Sequence, residues 1–286
     1  MTNLAYTRTG SGPPLVLLHG IGCSRAQWDS LLPALAADFE VIAVDLPGFG
    51  DSAPLPPDVA ASPALLADAV ADLLDELGVG PAHLVGNSLG GWIALELAGR
   101  RSTASVTLLS PAGLWPGRTP RYCWVSLWGT RWLTEHLGGI LSRLVATRMG
   151  RVLALAQTFG RPARVTAAEA RGAIRDFGTC PGFASAIRAT ADIHYAAARP
   201  VVAPVTVAFG ERDHLLLPHQ ARDLTELPPD SVVGRLPKVG HVPAAVDAPA
   251  VLALIATSTS RAVPGEASGA RDSQRPAEQR RPSLRS

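Results

Sequence analysis

The feature that most constrains the fold is a Gly-Asn-Ser-Leu-Gly pentapeptide at residues 86–90, which lies between two apolar segments. Residues 83–85 before it are typical of a buried strand, and residues 91–98 after it are typical of a helix. A strand that turns directly into a helix forces Ser88 into strained backbone geometry, so the residues two positions away on each side must be very small. Both are glycines. The pattern predicts a sharp turn that exposes the Ser88 hydroxyl at the end of a strand.

Short runs rich in Val and Leu recur along the chain, each bounded by Gly, Pro or a polar turn. They predict strands covered on both faces, at 15–18, 41–45, 83–85, 106–109 and 205–209. Helical patterns lie between them. The clearest has Ser62 as N-cap and Pro63 as first helical residue, and it ends at Gly78. Strands that alternate with helices predict an α/β fold with a mostly parallel sheet flanked by helices.

The alternation stops between about residues 112 and 200, where the sequence is helical in character and rich in tryptophan. This stretch is far too long for one crossover connection. We therefore expect a core of residues 1–111 and 201–260, with a helical cap at 112–200 inserted over the strand ends where Ser88 is exposed. Ordinary peripheral helices packed by tryptophans are the alternative. Residues 261–286 have almost no apolar side chains and are predicted to be disordered.

Composition excludes several classes of function. The net charge is +2, and the segment 261–286 alone carries six Arg against Glu266, Asp272 and Glu278, so the rest of the chain is close to neutral. This balance gives no reason to expect nucleic acid as a partner. The mixed signs in the tail also disfavour binding to nucleic acid or a membrane.

The sequence also predicts where the protein works and what it does not need. The N-terminus lacks a secretion-signal pattern and no apolar run is long enough to span a bilayer, so we expect a soluble cytoplasmic protein with no membrane partner. Three cysteines, an odd and sparse set, argue against a disulfide framework and a zinc site. We expect no metal and no cofactor.

A serine hydroxyl is a poor nucleophile unless a base contacts it and a third group orients that base. His241 is the predicted base. It lies in the Gly-flanked loop 239–243, after the strand-like segment 232–236 and before the final helix. A histidine placed there can reach across the strand ends.

Asp213 is the predicted orienting acid. It follows the apolar segment 205–209 directly and should lie at the same sheet edge as Ser88. The chain order of serine, aspartate and histidine is the order found with this type of turn. Glu211 is the alternative acid, and His214 is interpreted as structural or substrate-facing.

The negative charge that develops on a carbonyl oxygen during attack needs preorganised N–H donors. One predicted donor is the backbone N–H of Leu89, immediately after Ser88. The second should come from the loop that follows the strand at 15–18, with Ile21 as the expected donor. His19, in the same loop, is expected to brace this Gly-rich turn from inside.

Five motifs in this order resemble the α/β-hydrolase superfamily over essentially residues 1–260. They are His-Gly at 19–20 with Trp28 downstream, Asp-Leu-Pro-Gly-Phe-Gly-Asp-Ser at 45–52, Gly-Asn-Ser-Leu-Gly-Gly at 86–91, Gly-Glu-Arg-Asp at 210–213 and Gly-His-Val-Pro at 240–243. The resemblance implies Ser88 as nucleophile, Asp213 as acid, His241 as base, and Ile21 and Leu89 as oxyanion donors. It also implies that the insertion after 106–109 is a cap domain that forms the substrate pocket.

Within the superfamily, the Asn before the nucleophile is similar to the meta-cleavage product hydrolases, which cut carbon–carbon bonds in vinylogous diketones. Those enzymes usually carry an aromatic residue where this chain has Val242, and a cap arginine. The arginines eligible for that role are Arg164, Arg171 and Arg175. Related epoxide hydrolases and haloalkane dehalogenases use an aspartate nucleophile, and Ser88 excludes that ester-intermediate chemistry.

The expected activity is therefore hydrolysis of a carboxylic ester, lactone or similar carbonyl compound through an acyl-enzyme. A carbon–carbon hydrolase, a cofactor-free cyclase or lyase, and a small-molecule receptor are the alternatives. The expected partner is a small apolar or aromatic acyl substrate, and an apolar cap surface could support a homodimer. The residues expected to contact substrate are Trp115, Trp124, Trp128 and Val242.

Overall fold

The computed structural model describes residues 4–262. Within them the chain forms one seven-stranded sheet from β1 (Tyr6–Thr9), β2 (Pro14–Leu18), β3 (Glu40–Val44), β4 (Ala82–Asn87), β5 (Thr103–Leu109), β6 (Val205–Gly210) and β7 (Val232–Leu236). The helices are α1 (Leu32–Leu35), α2 (Pro63–Glu76), α3 (Leu89–Ala98), α4 (Arg121–Leu144), α5 (Arg148–Leu155), α6 (Ala167–Thr179), α7 (Phe183–Ala189) and α8 (Ala248–Thr259). Short 3₁₀ helices occupy Arg25–Trp28 and Pro162–Arg164.

The strands lie side by side in the order β1-β3-β2-β4-β5-β6-β7. Strand β1 runs antiparallel to β3, and every other neighbouring pair is parallel. The strands predicted from the Val- and Leu-rich runs all form, because helices cover both faces of the central sheet and bury those side chains. The α/β fold class is confirmed.

Strand β1 is the element that sequence reasoning missed. Its sequence, Tyr-Thr-Arg-Thr, has no apolar run, since it lies at the edge of the sheet with only one side half-buried. Exposed and half-buried positions alternate along it, but both half-buried residues are threonines, so no apolar alternation in the sequence marks this strand.

Successive residues of the central strands feed two hydrophobic clusters, one on each face of the sheet. Val16 and Leu18 of β2 point to the face covered by α2 and α3. Leu15 and Leu17 point to the opposite face, where α1 and α8 pack. Strand β4 is thus fully buried, and the turn that follows it is held from both sides.

Helix α2 begins as predicted. The Leu65 N–H donates to Ser62 Oγ at 3.2 Å, and Pro63 is the first helical residue. Gly78 follows the helix with φ 65°, a conformation that suits glycine.

Helices α4 to α7 all lie between β5 and β6, inside the 112–200 range predicted to be a helical insertion. Hydrogen bonds join them to loops of the core. Ser24 Oγ donates to Asp176 Oδ2 at 2.6 Å, and the Gly182 N–H donates to the Gly48 carbonyl at 2.9 Å. These bonds hold α6 and α7 against the loops that follow β2 and β3.

The predicted disorder of 261–286 lies outside the described residues except at its first two positions. There, Arg261 Nη1 donates to the Val205 carbonyl at 2.8 Å and ties the end of α8 to β6. In the part of the chain that the structure describes, no helix combines the length and hydropathy that a bilayer span requires.

Replacement of Gly90 by Ala tests the close contact beneath the turn. A Cβ at Gly90 would lie 2.1 Å from the Leu18 carbonyl oxygen, so we expect Gly90→Ala to lower the free energy of unfolding by at least about 1–3 kcal/mol in urea titration. Gly139→Ala is the control: Gly139 lies on an exposed face of α4 with no neighbouring atom within 4 Å of the added methyl, and the change should stabilise by up to about 1 kcal/mol. Equal effects of the two changes would contradict this account.

Candidate active site

Ser88 occupies the predicted turn between β4 and α3. Its φ of 54° and ψ of −119° are rare for a residue with a side chain. The Ser88 N–H donates to the Leu109 carbonyl at 3.0 Å, and its own carbonyl accepts from Gly91 and Trp92. A Cβ at Gly86 would lie 2.2 Å from the Gly90 carbonyl oxygen, which explains why the turn needs a glycine there. The strained turn directs Ser88 to the carboxyl edge of the sheet.

The structure brings the predicted base and acid into contact. His241 Nδ1 lies 2.8 Å from Asp213 Oδ2, and both side chains are buried. Because an ionised carboxylate can only accept, Nδ1 is the donor in this bond, and in the neutral imidazole this leaves the lone pair on Nε2. Nε2 is buried and has no hydrogen-bond partner among the described residues. It lines the same cavity as Ser88.

No hydrogen bond joins Ser88 Oγ to His241 Nε2 in the described structure. In unliganded enzymes such bonds are often long and tighten only when substrate binds. The two side chains therefore line one cavity, and a bound substrate can bring them into hydrogen-bonding distance.

The alternatives for the acid and the second histidine lie elsewhere. Glu211 is exposed, and its carboxylate accepts from the Lys238 N–H at 3.3 Å instead of contacting His241. His214 is also exposed, and its backbone carbonyl accepts from the Tyr122 hydroxyl at 2.8 Å. Of the two acids, only Asp213 orients the imidazole.

Asp213 is held in its ionised form. Burial by itself raises the pKa of a carboxyl, but the His241 imidazole opposes this, as do the N–H groups of Leu216 and Leu215, which donate to Oδ1 at 2.8 and 2.9 Å. The net result is a pKa of Asp213 below its ordinary value of 3.8. At neutral pH a fixed negative charge faces the proton on Nδ1 and would stabilise an imidazolium.

The loop after β2 orients the peptide that carries the Ile21 N–H. The Gly20 carbonyl accepts two hydrogen bonds, from His19 Nδ1 at 2.8 Å and from the Cys23 N–H at 3.1 Å. In a trans peptide the C=O and the following N–H point in opposite directions. These two bonds therefore direct the Ile21 N–H away from His19 and Cys23.

His19 braces the loop from inside, as expected. It is buried, and its Nε2 accepts from the Leu46 N–H at 3.0 Å, which leaves the proton on Nδ1 for the Gly20 carbonyl. Its burial lowers the pKa of His19 below 6.5, against the raising influences of the Gly20 carbonyl and of nearby carboxylates. The neutral imidazole thus connects the loops that follow β2 and β3.

The two predicted oxyanion donors line the space at Ser88, where two cavities meet. Ile21 lines both cavities that touch Ser88, and Leu89, the first residue of α3, lines the smaller one. Neither N–H donates a hydrogen bond to a backbone or side-chain acceptor among the described residues. Both are available to a negatively charged oxygen.

Asn87 is a buried residue of the site whose role sequence reasoning did not assign. Its Nδ2 donates to the carbonyls of Leu109 at 2.8 Å and His241 at 2.9 Å, and its Oδ1 accepts from Gln27 Nε2 at 3.1 Å. Gln27 Oε1 in turn faces the Gly20 N–H at 3.4 Å. This amide chain joins the loop of Ile21, the turn of Ser88 and the loop of His241.

Two cavities meet at Ser88. The larger has a volume of about 450 Å³ and contains His241 and Val242 in its wall. The smaller, of about 30 Å³, contains Leu89 and Trp115. Among residues 4–262, His241 and the thiols of Cys23 and Cys123 are the only titratable side chains in these walls. The remaining lining is apolar, with a few hydroxyl and amide groups.

The predicted substrate-contacting residues divide accordingly. Val242 and Trp115 line the cavities at Ser88, whereas Trp124 and Trp128 line neither of them, and the contact of all four with substrate stays a prediction. The physical reason is helical phase. Trp124 and Trp128, one turn apart on α4, pack together with tilted rings whose centroids lie 5.9 Å apart, and Trp128 meets Phe183 edge to face at 5.2 Å.

A different stripe of α4 faces the large cavity. It includes Leu127, Thr130 and Thr134, and Ile174 and Phe177 of α6 line the same cavity. The spacing of the first three residues is helical, so their shared face could be read from the sequence. Which face turns toward Ser88 could not.

The cysteine thiols at the site are poorer candidates for the nucleophile than Ser88. Burial raises the pKa of Cys23, which lines the large cavity, to about 12, and that of Cys123 in the small one also to about 12. Both stay protonated at neutral pH. Within the described residues, no three His, Cys, Asp or Glu side chains are grouped so that they could hold a metal.

Because the pKa of His19 is lowered by burial, the unfolded chain binds this proton more readily, and stability should fall as pH drops below about 6.5. His19→Asn keeps a donor for the Gly20 carbonyl but does not titrate. Between pH 7.5 and 5.5, we expect the free energy of unfolding of His19→Asn to fall less steeply than that of the wild type. The two slopes, measured in urea titrations, should differ by up to about 1.4 kcal/mol per pH unit. His83, whose pKa burial also lowers, contributes equally to both proteins. Identical pH slopes would contradict the assignment.

Comparison with known proteins identifies the family of this chain. A family model described as the alpha/beta hydrolase family matches residues 15–253. A pimeloyl-[acyl-carrier protein] methyl ester esterase of Chromobacterium violaceum is 34% identical over 247 residues, which cover 84% of this chain and 92% of that protein. The enzyme with the same name from Aeromonas hydrophila is 41% identical over 127 residues, 42% of this chain and 48% of that protein, so this match spans about half of the relative.

Solved structures share the fold. A thermophilic esterase from Thermogutta terrifontis superimposes with a TM-score of 0.65 at 24% identity, covering 89% of this chain and 92% of that one. A meta-cleavage product hydrolase from Pseudomonas fluorescens gives a TM-score of 0.67 at 21% identity, covering 90% and 93%. Together with the family match over most of its length, these likenesses show that the chain belongs to the alpha/beta hydrolase family and is an enzyme of that kind.

Proposed function

We propose that this enzyme hydrolyses carboxylic esters of uncharged, apolar substrates, with Ser88 as nucleophile, His241 as base and Asp213 as orienting acid. The observation that carries the proposal is the buried Asp213–His241 pair, whose free Nε2 lines the same cavity as the strained Ser88. The names of the Chromobacterium violaceum and Thermogutta terrifontis proteins, both esterases, support ester hydrolysis over other reactions of the family.

In the proposed reaction, His241 Nε2 takes the proton from Ser88 Oγ while Oγ bonds to the carbonyl carbon of the ester. The carbonyl oxygen becomes an oxyanion that the Ile21 and Leu89 N–H groups stabilise. When this intermediate collapses, the carbon–oxygen bond breaks and the alcohol leaves with the proton from Nε2. Water, deprotonated by the same nitrogen, then releases the acid and restores Ser88. Asp213 stabilises the imidazolium in both halves.

The helices between β5 and β6 act, in this proposal, as a cap that excludes water and shapes the substrate site. Thr130 and Phe177 of α4 and α6 share a cavity wall with Ser88, which supports that role for residues 112–200.

The lining of the cavities favours ester hydrolysis over the carbon–carbon hydrolase alternative. None of the arginines eligible as cap arginine lines either cavity at Ser88 among the described residues. Arg164 and Arg171 are exposed, and Arg175 pairs with Asp176 at 2.9 Å. Because no arginine or lysine among the described residues lines these cavities, a substrate carboxylate would have no such partner there. An uncharged substrate matches this lining.

Removal of the Ser88 hydroxyl tests the nucleophile. Ser88→Ala should lower kcat/KM for ester hydrolysis by at least about a thousandfold, because acyl-enzyme formation is lost, while the thermal unfolding temperature stays nearly unchanged. Ester release by purified protein in a pH-stat measures this. Ser260→Ala, an exposed change at the end of α8, is the control and should leave activity intact. Retained hydrolysis in Ser88→Ala would refute the proposal.

Asn87 should position His241 in the proposed reaction. Asn87→Ala removes both donors to the carbonyls of Leu109 and His241, so we expect kcat to fall about tenfold or more with KM little changed, at a stability cost of about 1–3 kcal/mol. Ser62→Ala removes a helix cap far from the site and should cost about 1 kcal/mol of stability without lowering kcat. An equal loss of kcat in Ser62→Ala would contradict this prediction, because it would show that lower stability alone explains the effect of Asn87→Ala.

A further inference from the structure

The two cavities that meet at Ser88 differ in which parts of the proposed catalytic machinery they contain. Both include Ile21 and Ser88 in their walls. Among the described residues, His241 lines only the large cavity and Leu89 lines only the small one. An ester has two arms, the acyl group and the alcohol group, on either side of its reacting carbon. When an ester binds at Ser88, these two arms must therefore lie in chemically different surroundings.

The proposed reaction determines which cavity each arm occupies, so this inference rests on the proposed function. The alcohol oxygen must reach His241 Nε2, because it leaves with the proton that this nitrogen donates. The alcohol arm consequently extends into the cavity that His241 lines. The acyl arm, on the other side of the reacting carbon, faces the small pocket.

The small pocket leaves little room for an acyl chain. A water-sized group needs about 10–15 Å³, and the pocket measures about 30 Å³. Its walls are tightly packed: Trp92 and Trp115 meet edge to face with ring centroids 5.8 Å apart, and Ile187 and Leu216 are buried beside them. An acetyl or propionyl group fits, whereas a long chain does not.

The large cavity suits a long apolar alcohol. At about 450 Å³ it is roughly fifteen times the size of the small pocket. Three of its lining residues, Leu133, Leu144 and Leu153, are also exposed at the outer surface of α4 and α5, with exposed fractions of 43%, 40% and 69%. The apolar wall thus continues from Ser88 to the surface, along a path that an alkyl chain can follow.

We infer that the preferred substrates are esters in which a short acyl group is joined to a long apolar alcohol. This is the reverse of the methyl esters named for the Chromobacterium violaceum relative, whose alcohol is the smallest there is.

Two isomeric esters test the inference, because hexyl acetate and ethyl hexanoate have the same formula and differ only in which arm is long. We expect kcat/KM for hexyl acetate to exceed that for ethyl hexanoate by about tenfold or more, measured in a pH-stat with the full chain and with Ser88→Ala as blank. Ser88-dependent turnover that is equal for the two isomers, or faster for ethyl hexanoate, overturns the inference and leaves the proposed function standing. Absence of Ser88-dependent turnover of both removes the proposed function and the inference with it.

A change in the small pocket gives an independent readout. Ile187→Ala removes three carbons from its wall and should raise the ethyl hexanoate to hexyl acetate ratio at least about fivefold, with Ile187→Val giving a smaller rise in the same direction if the alanine variant does not fold. Ile255→Ala is the matched control, since Ile255 is equally buried but lies on the face of α8 that packs against the sheet and lines neither cavity. A ratio that does not move in the Ile187 variants, or moves as much in Ile255→Ala, overturns the placement of the acyl group.

Discussion

The close approach of β4, Ser88 and α3 is the contact on which the rest of the site depends. A methyl group at Gly86 would meet the Gly90 carbonyl at 2.2 Å, and one at Gly90 would meet the Leu18 carbonyl at 2.1 Å. With both glycines present, the turn can be short enough to hold Ser88 at φ 54° and still join a buried strand to a buried helix. Hydrogen bonds from Ser88 to strand β5 and to the first turn of α3 stabilise this strained backbone conformation. A looser turn would withdraw the hydroxyl from His241 and Leu89 together.

Parallel strands bring the other groups to the same edge, and polar side chains fix them there. His19 sets the peptide of Ile21, Asp213 sets the imidazole of His241, and Asn87 joins the two loops. Each of these side chains is buried, so its hydrogen bonds compete little with water. Helices α4, α5 and α6 add a largely apolar wall to the large cavity, in which Thr130 and Thr134 supply hydroxyl groups and no charged side chain occurs among the described lining residues. In the proposed function, the sheet edge thus supplies the reacting groups, and the helices between β5 and β6 select the substrates that reach them.

Much of this arrangement could be predicted from local sequence, since the buried strands, the glycine turn at Ser88 and the cap of α2 each depend on neighbouring residues. The pairing of Asp213 with His241 also followed, from chain order and the sheet edge that both share. What could not be predicted depends on distant contacts. Gln27 lies 60 residues from Asn87, and Asn87 lies 154 from His241, so no local pattern marks that network. The cavity-facing side of α4 depends on distant contacts in the same way: helical spacing defines a face, but only packing against the core decides that Leu127 rather than Trp128 lines the cavity.

The central claim is that His241 activates Ser88 for attack. Intact-protein mass spectrometry and peptide mapping after treatment with a fluorophosphonate test it most directly, with the wild type and His241→Ala compared over time. The account predicts one adduct per chain, located on Ser88, that forms at least about a hundredfold more slowly in His241→Ala. An adduct on another residue, or an equal rate of labelling in both proteins, would contradict it.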